Sequence, residues 1–314
     1  MRNLPIVHHC DYSAQIPGAH RFPMQKFARL AEILVNDGLV PCGFTLPTPI
    51  SRDQLLLAHT PRYVDAILGQ TLSPQEIRKL GFPLTSSVVR RAQLATGGTL
   101  LAARLALVHG LASNTAGGSH HAMPDHGAGF CVFNDVAVAA SVLLQERPDL
   151  KIMIVDLDVH HGDGTAAMFA REPRVFTYSM HCEANWPTIK PASDLDIALE
   201  SGVGDDAYLR LLADTLPTLL DEFVPDLVFY NAGVDPHMDD RLGKLCLSDA
   251  GLTARERYVV ETVRGRNVPL ATVLGGGYCT DMDALGNRHA LMFHACADWL
   301  AEGGKRSTDD APLL

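Results

Sequence analysis

Lys151-Ile152-Met153-Ile154-Val155-Asp156-Leu157-Asp158-Val159-His160-His161-Gly162-Asp163-Gly164 passes from apolar to ionisable within a few residues, and the rest of the chain reads outward from that change. Its first half is short, apolar and β-branched, the composition of a parallel strand buried on both faces. If the chain stays extended past Val155, alternate side chains share a face, so Asp156, Asp158 and His160 point one way. Carboxylate oxygens and an imidazole nitrogen suit a borderline divalent ion such as zinc. A set short of four ligands leaves a position for water, and hence for catalysis. The plainer alternative is a helix-capping Asp followed by a Gly-Asp-Gly turn. Five ionisable residues in eight positions after an apolar strand make that alternative costly unless each finds a partner.

In all, strands are expected at 151–157, 174–179, 226–232 and 268–274, with a weaker one at 113–117. Amphipathic stretches at Phe27–Asn36, Ser87–Gly110, Asp135–Glu146, Asp206–Glu222, Thr253–Arg264 and Ala284–Leu300 read as helices. This alternation predicts a parallel sheet covered on both faces, with ligands bound beyond the carboxyl ends of the strands. The chain has 314 residues, 47% hydrophobic and 20% charged, enough for one large core. The loose segments, near Pro41–Pro49, at Trp186–Gly204 and from Gly303 onward, are too short to separate domains, so one domain over residues 1–314 is expected.

A net charge of −10 without a Lys/Arg cluster argues against nucleic acid and suits cationic substrates. Seven scattered cysteines without Cys-x-x-Cys spacing predict reduced thiols in a cytoplasmic protein. No apolar run is long enough for a signal core or a membrane span.

Three other apparent strand ends also carry polar clusters. Asn231-Ala232-Gly233-Val234-Asp235 offers a third carboxylate ligand, although a lone Asp after a strand is more often a turn residue. Gly275-Gly276-Gly277-Tyr278 permits close backbone approach and presents a phenol as donor. The same glycines read as a phosphate nest lack the Lys and Ser/Thr of a P-loop. Gly117-Gly118-Ser119-His120-His121 presents paired imidazoles that can serve as acid and base. Taken together, the four clusters form a hydrolytic set.

The ordered series Gly117 to Ala122, Gly129-Phe130-Cys131-Val132-Phe133-Asn134-Asp135, Asp156 to Gly164, Asn231 to Asp235 and Leu274 to Tyr278 resembles the zinc-dependent histone deacetylase family. Tyr230 to Gly233 with Asp240 to Gly243, and Val263 to Arg266, look most like its class IV and related bacterial members. The resemblance implies a three-layer α/β/α arginase/deacetylase fold with a central, mainly parallel eight-stranded sheet. It implies zinc ligands Asp158, His160 and Asp235. It moves Asp156 to a pairing with His120 and sets Asp163 beside His121. His121 with Asp163 then acts as general base and later acid, His120 with Asp156 acts electrostatically, and Tyr278 stabilises the oxyanion. A structural potassium ion is implied near Asp156, Asp158, His160 and Ser179. Phe130, Trp186, Gly129 and Gly276 are expected to bind substrate along an acyl-lysine tunnel, and Arg21 to line an internal channel for the leaving acid.

The expected substrate is an acyl-lysine protein or peptide, or an acylated small amine. Many members carry an Asp on an entrance segment, where this chain has Leu80-Gly81-Phe82-Pro83-Leu84. Class IV members often carry Gln and Asn where this chain has His161 and Asp163. An acetylpolyamine deacetylase, a two-metal ureohydrolase, which would not need Tyr278, and a non-catalytic binding protein are the rival readings. His8, His9, His20, His59 and His109 read as packing or surface residues, while His181, Cys182 and His237 are placed near the tunnel.

Overall fold

The computed structural model describes residues 3–18 and 20–303. Apart from Gly303, the C-terminal tail lies outside these residues. The strands are β1 (Ile6–Val7), β2 (Leu111–Asn114), β3 (Ile152–Asp156), β4 (Val175–Cys182), β5 (Leu195–Leu199), β6 (Leu227–Asn231) and β7 (Leu270–Val273). They form one parallel sheet in the order β1-β2-β7-β6-β3-β4-β5. The helices are α1 (Lys26–Asn36), α2 (Arg52–Leu55), α3 (Pro61–Leu68), α4 (Pro74–Leu80), α5 (Ser86–His109), α6 (Asp135–Glu146), α7 (Asp163–Phe169), α8 (Asp205–Phe223), α9 (Asp249–Gly265) and α10 (Met282–Ala301).

The three-layer arrangement is the expected one. Helix α5 packs on β2, β7 and α6, while α1, α10, α9 and α8 pack in succession as a separate layer. Every residue of β2, β3, β6 and β7 is buried, as a strand covered on both faces requires.

Seven strands, rather than eight, are present among the described residues. The eighth position is occupied by a single parallel bridge, Val7 to Thr45, closed by Thr45 N–H to Ile6 O and His8 N–H to Thr45 O. The next rung of that ladder would need an N–H from residue 47, which is a proline. Strand β5 lies within the stretch read as loose, because an edge strand carrying Asp196 is only half buried and shows no apolar run. The periodicity reading also assigns no helix between Asn36 and Ser87, where α2, α3 and α4 stand. Helix α4 has a complete capping box between Ser73 and Glu76, with Pro74 in its first turn and Gly81 left-handed at its end.

The sheet order matters most for the site. Strands β2, β7, β6 and β3 are consecutive neighbours, so four loops far apart in sequence emerge side by side at the carboxyl edge.

Candidate metal centre

Asp158 and His160 follow β3, and Asp235 follows β6. One ligand atom from each lies within 4.8 Å of the others, with all three side chains buried. His160 Nδ1 is 3.0 Å from Asp158 Oδ1 and 3.1 Å from Asp235 Oδ2. Backbone donors hold the carboxylates in place: His160 N–H to Asp158 Oδ1 at 3.0 Å, Gly276 N–H to Asp158 Oδ2 at 2.6 Å, and Val159 N–H to Asp235 Oδ1 at 2.9 Å. Gly276 is required here, since a Cβ would stand 2.1 Å from Asp235 Oδ2. Two buried carboxylates and an imidazole converging on one point form a donor set that suits zinc.

Charge in the trio is uneven. Burial opposes a cation on His160, but its bonds to Asp158 and Asp235 raise its pKa to about 10. Burial likewise opposes ionisation of Asp158, yet His120 and His160 hold it well below the usual carboxylate range. Burial and the Asp158 charge push Asp235 up to about 7.

Asp156, the last residue of β3, leaves the trio. Its Oδ2 lies 2.7 Å from His120 Nδ1, and its Oδ1 accepts from Asn231 Nδ2 at 2.9 Å and Asp158 N–H at 3.2 Å. Asp163 opens α7 and places Oδ1 2.6 Å from His121 Nδ1. The two Nε2 atoms, 3.1 Å apart, face each other. Burial would keep His120 neutral, but Asp156 and Asp158 raise its pKa to about 9, whereas burial and then the His120 charge lower His121 to about 3 despite Asp163. The opposite directions of the two shifts mean that His120 holds a proton more readily than His121.

A cavity of about 570 Å³ opens above the trio, with His121, His160 and Tyr278 at its base and Phe130, Trp186 and Gly129 on its walls. Trp186 meets the His121 ring edge-on at 4.6 Å, and a Cβ on Gly129, whose φ is 55°, would strike both rings. Tyr278 is buried, its N–H bound to Asp240 at 2.7 Å. Burial and the charges of Asp235 and Asp158 hold its phenol well above the usual tyrosine range, so it stays a neutral donor.

Several expected residues stand elsewhere. Gly276 lies behind the ligands, facing a small inner cavity that also contains His120, Arg91 and Tyr278. Arg21 does not reach that cavity; it is exposed at the outer mouth with its guanidinium 5.3 Å from the Phe130 ring centre. The arginine lining the inner cavity is instead Arg91, 4.6 Å from the Phe27 ring centre, and Lys26, also buried, donates nearby to Gly275 O at 3.2 Å and Gly277 O at 3.3 Å. Ser179 is the register partner of Asp156 across β3 and β4, and its hydroxyl lies 3.0 Å from His181 Nδ1. His237 is buried 3.2 Å from Asp249 and does not line the open cavity.

Sequence reading missed Arg255. Fully buried on α9, it donates to Leu157 O at 3.1 Å and Gly233 O at 2.8 Å, tying together the two loops that carry Asp158 and Asp235, and it pairs with Glu256. Lys26, Arg91 and Arg255 share a signal that could have found them. Each is a charge on its helix's apolar stripe: Lys26 with Leu30 and Ile33, Arg91 with Val88 and Ala95, and Arg255 with Leu252 and Val259.

The chain is similar to known proteins along most of its length. The histone deacetylase domain matches residues 20–294. An uncharacterized protein of Picosynechococcus sp. is 50% identical over 94% of this chain and 98% of its own length. Histone deacetylase 2 of Arabidopsis thaliana is 31% identical over 88% of this chain and 75% of its own. Among solved structures, an HDAC homologue complexed with SAHA superposes with a TM-score of 0.80 at 25% identity, covering 95% of this chain and 84% of that one.

Proposed function

Because the chain belongs to the histone deacetylase family, we propose that it is a zinc-dependent amidohydrolase acting on acyl-lysine in proteins or peptides, with residues 1–314 forming one catalytic domain. The observation that carries this is the convergence of Asp158, His160 and Asp235 below a cavity whose base also presents His121 and Tyr278. Zinc held by that trio supplies a Lewis acid for the acyl carbonyl and makes a nearby water more acidic.

The chain's own residues do the remainder. His121 faces the open cavity with Nδ1 fixed by Asp163, so its Nε2 takes a proton from the attacking water and later returns it to the leaving amine. His120 faces inward and, carrying charge beside Asp156, stabilises negative charge without exchanging protons. The Tyr278 hydroxyl donates to the developing oxyanion, a contribution of roughly 3 to 4 kcal/mol for one such donor. Phe130 and Trp186 guide the apolar lysine stem and exclude water from it. Potassium is our reading of the space between Asp156 and Ser179, supported by their register across β3 and β4. Seven free cysteines support a reducing compartment, the cytoplasm. No described helix is long and apolar enough to cross a membrane.

A deacetylase of small N-acyl amines is the second reading, supported by an entrance segment that carries no carboxylate to grip a peptide backbone. Turnover of acetyl-lysine peptide, long-chain acyl-lysine peptide and acetylspermidine by wild type and Tyr278→Phe tests both readings, with metal content measured on the same samples. We expect one acyl-lysine substrate to be hydrolysed, and Tyr278→Phe to lose roughly a hundred- to a thousandfold in kcat with zinc retained. A metal-loaded wild type inert toward all three substrates overturns the assignment.

A further inference from the structure

We propose that the mouth of the cavity selects substrates bearing negative charge next to the acyl-lysine, an acidic peptide segment in particular, and rejects polycations. This rests on the deacylase reading above and adds the substrate's charge to it. The chain as a whole is acidic, at −10, yet the charged side chains lining the outer cavity are Arg21, Arg78, Lys79 and Lys244, with no carboxylate among them. All four are exposed, and none forms an ion pair among the described residues. Arg78 and Lys79 sit in the last turn of α4, where cations also complement the helix dipole, but that role requires no convergence with Arg21 and Lys244. The four come from three separate chain segments and meet around one opening. Cations of one sign around a concave opening concentrate anions there and repel cations, over distances set by salt.

The chemistry of the scissile amide fixes what meets this ring. The acyl group lies at the base, the lysine stem fills the tunnel, and whatever continues beyond the stem reaches the mouth. In an acidic peptide those are Asp and Glu side chains. In free acetyl-lysine it is one α-carboxylate beside an ammonium, and in an acylated polyamine only further ammonium groups.

The test compares kcat/KM for acetyl-lysine peptides of equal length with acidic, neutral or basic flanks, together with acetyl-lysine and acetylspermidine, at low and high salt. We expect the acidic peptide to exceed the basic one by about tenfold or more at low salt, the gap to shrink as salt rises, and acetylspermidine to be the poorest substrate. Arg78→Gln with Lys79→Gln should lower the acidic-to-neutral ratio by about threefold, and the Glu pair at the same positions should invert it. Arg147→Glu with Arg171→Glu changes net charge as much as the Glu pair does, at the amino ends of β3 and β4, and should leave the ratio alone. If free acetyl-lysine equals the acidic peptide, a small carboxylate substrate replaces the peptide and this part of the proposal is overturned. Equal rates for acidic and basic peptides at low salt overturn the charge selection while leaving the deacylase reading intact. No turnover of even the neutral peptide overturns both.

Discussion

The base of the cavity and its mouth are built by opposite means. Asp156, Asp158, Asp163 and Asp235 are 0–5% exposed, and each is held by backbone N–H groups or an imidazole. Arg21, Arg78, Lys79 and Lys244 are exposed and outside any ion pair among the described residues, with Lys244 donating to Ala184 O and Arg21 lying over the Phe130 ring. A buried charge without partners is intolerable, so the base admits one arrangement; exposed charges cost little to move. On the proposed reading, chemistry is set at the base and what is admitted to it at the mouth, at far lower energetic stakes.

The largest effect expected from breaking that contrast is at His160. Replacing it with Ala removes a ligand from the trio, and turnover should fall to background with zinc lost on elemental analysis. A folded His160→Ala protein that kept stoichiometric zinc would remove this residue from the ligand set. Next comes Arg255, which supports the base without touching the cavity. Arg255→Met leaves Glu256 as a buried, uncompensated carboxylate and should cost about 3 to 5 kcal/mol in denaturant unfolding. Because Arg255 ties the Leu157 and Gly233 carbonyls, zinc affinity should fall too, which a purely structural role would not require.

A smaller, pH-dependent effect is expected at His59, under the same base. Its Nδ1 lies 3.0 Å from Met123 O, and its Nε2 accepts from Asn134 N–H at 3.1 Å. Asn134 caps α6, and its amide reaches His120 O at 3.4 Å. Burial lowers the His59 pKa from 6.5 to about 4, so the folded state disfavours its proton. The unfolded chain binds that proton first as pH falls, so this contribution is complete above pH 6.5 and lost between 6.5 and 4. The loss amounts to about 1.4 kcal/mol per pH unit in that window. His59→Gln, which keeps an acceptor for Asn134 without titrating, should flatten the dependence; an unchanged slope would assign it to other groups.

The smallest effect belongs to the mouth. Trp186 is 46% exposed, and on the proposed reading, in which it guides the lysine stem rather than the reacting atoms, Trp186→Ala should raise KM several-fold with little change in kcat. A collapse of kcat instead would show that its contact with His121 orients the base.

How much of this was legible beforehand depended on burial. The stretch from Lys151 to Gly164 revealed its strand because β3 is apolar up to Asp156, and β6 and β7 were found on the same ground, whereas β2, reading Leu-Ala-Ser-Asn, was expected only weakly and two residues late, at 113–117. Strand β5 and helices α2 to α4, which are half exposed or short, left no apolar run, although Ser73-Pro74-Gln75-Glu76 spelled out a helix start. Arg21 was assigned to an inner channel, but it lies at the outer mouth, and the arginine lining the inner cavity is Arg91. Net charge alone pointed to cationic substrates, while the mouth is lined with cations.

Residue types and their spacing were enough to point to metal-dependent hydrolytic chemistry, because carboxylates, imidazoles and a phenol after buried strands are costly to place without partners, while the exchange of Asp156 for Asp235 in the trio and the two His–Asp pairings came from the family resemblance. Which imidazole faces substrate, which cations lie inside and which sign of charge surrounds the opening were decided only by the fold. Sheet order places β2, β7, β6 and β3 side by side, and α4 brings Arg78 and Lys79 to a mouth whose other cations lie far away along the chain. A linear sequence carries the identity of each charge, but the field at a point depends on distances that only folding creates.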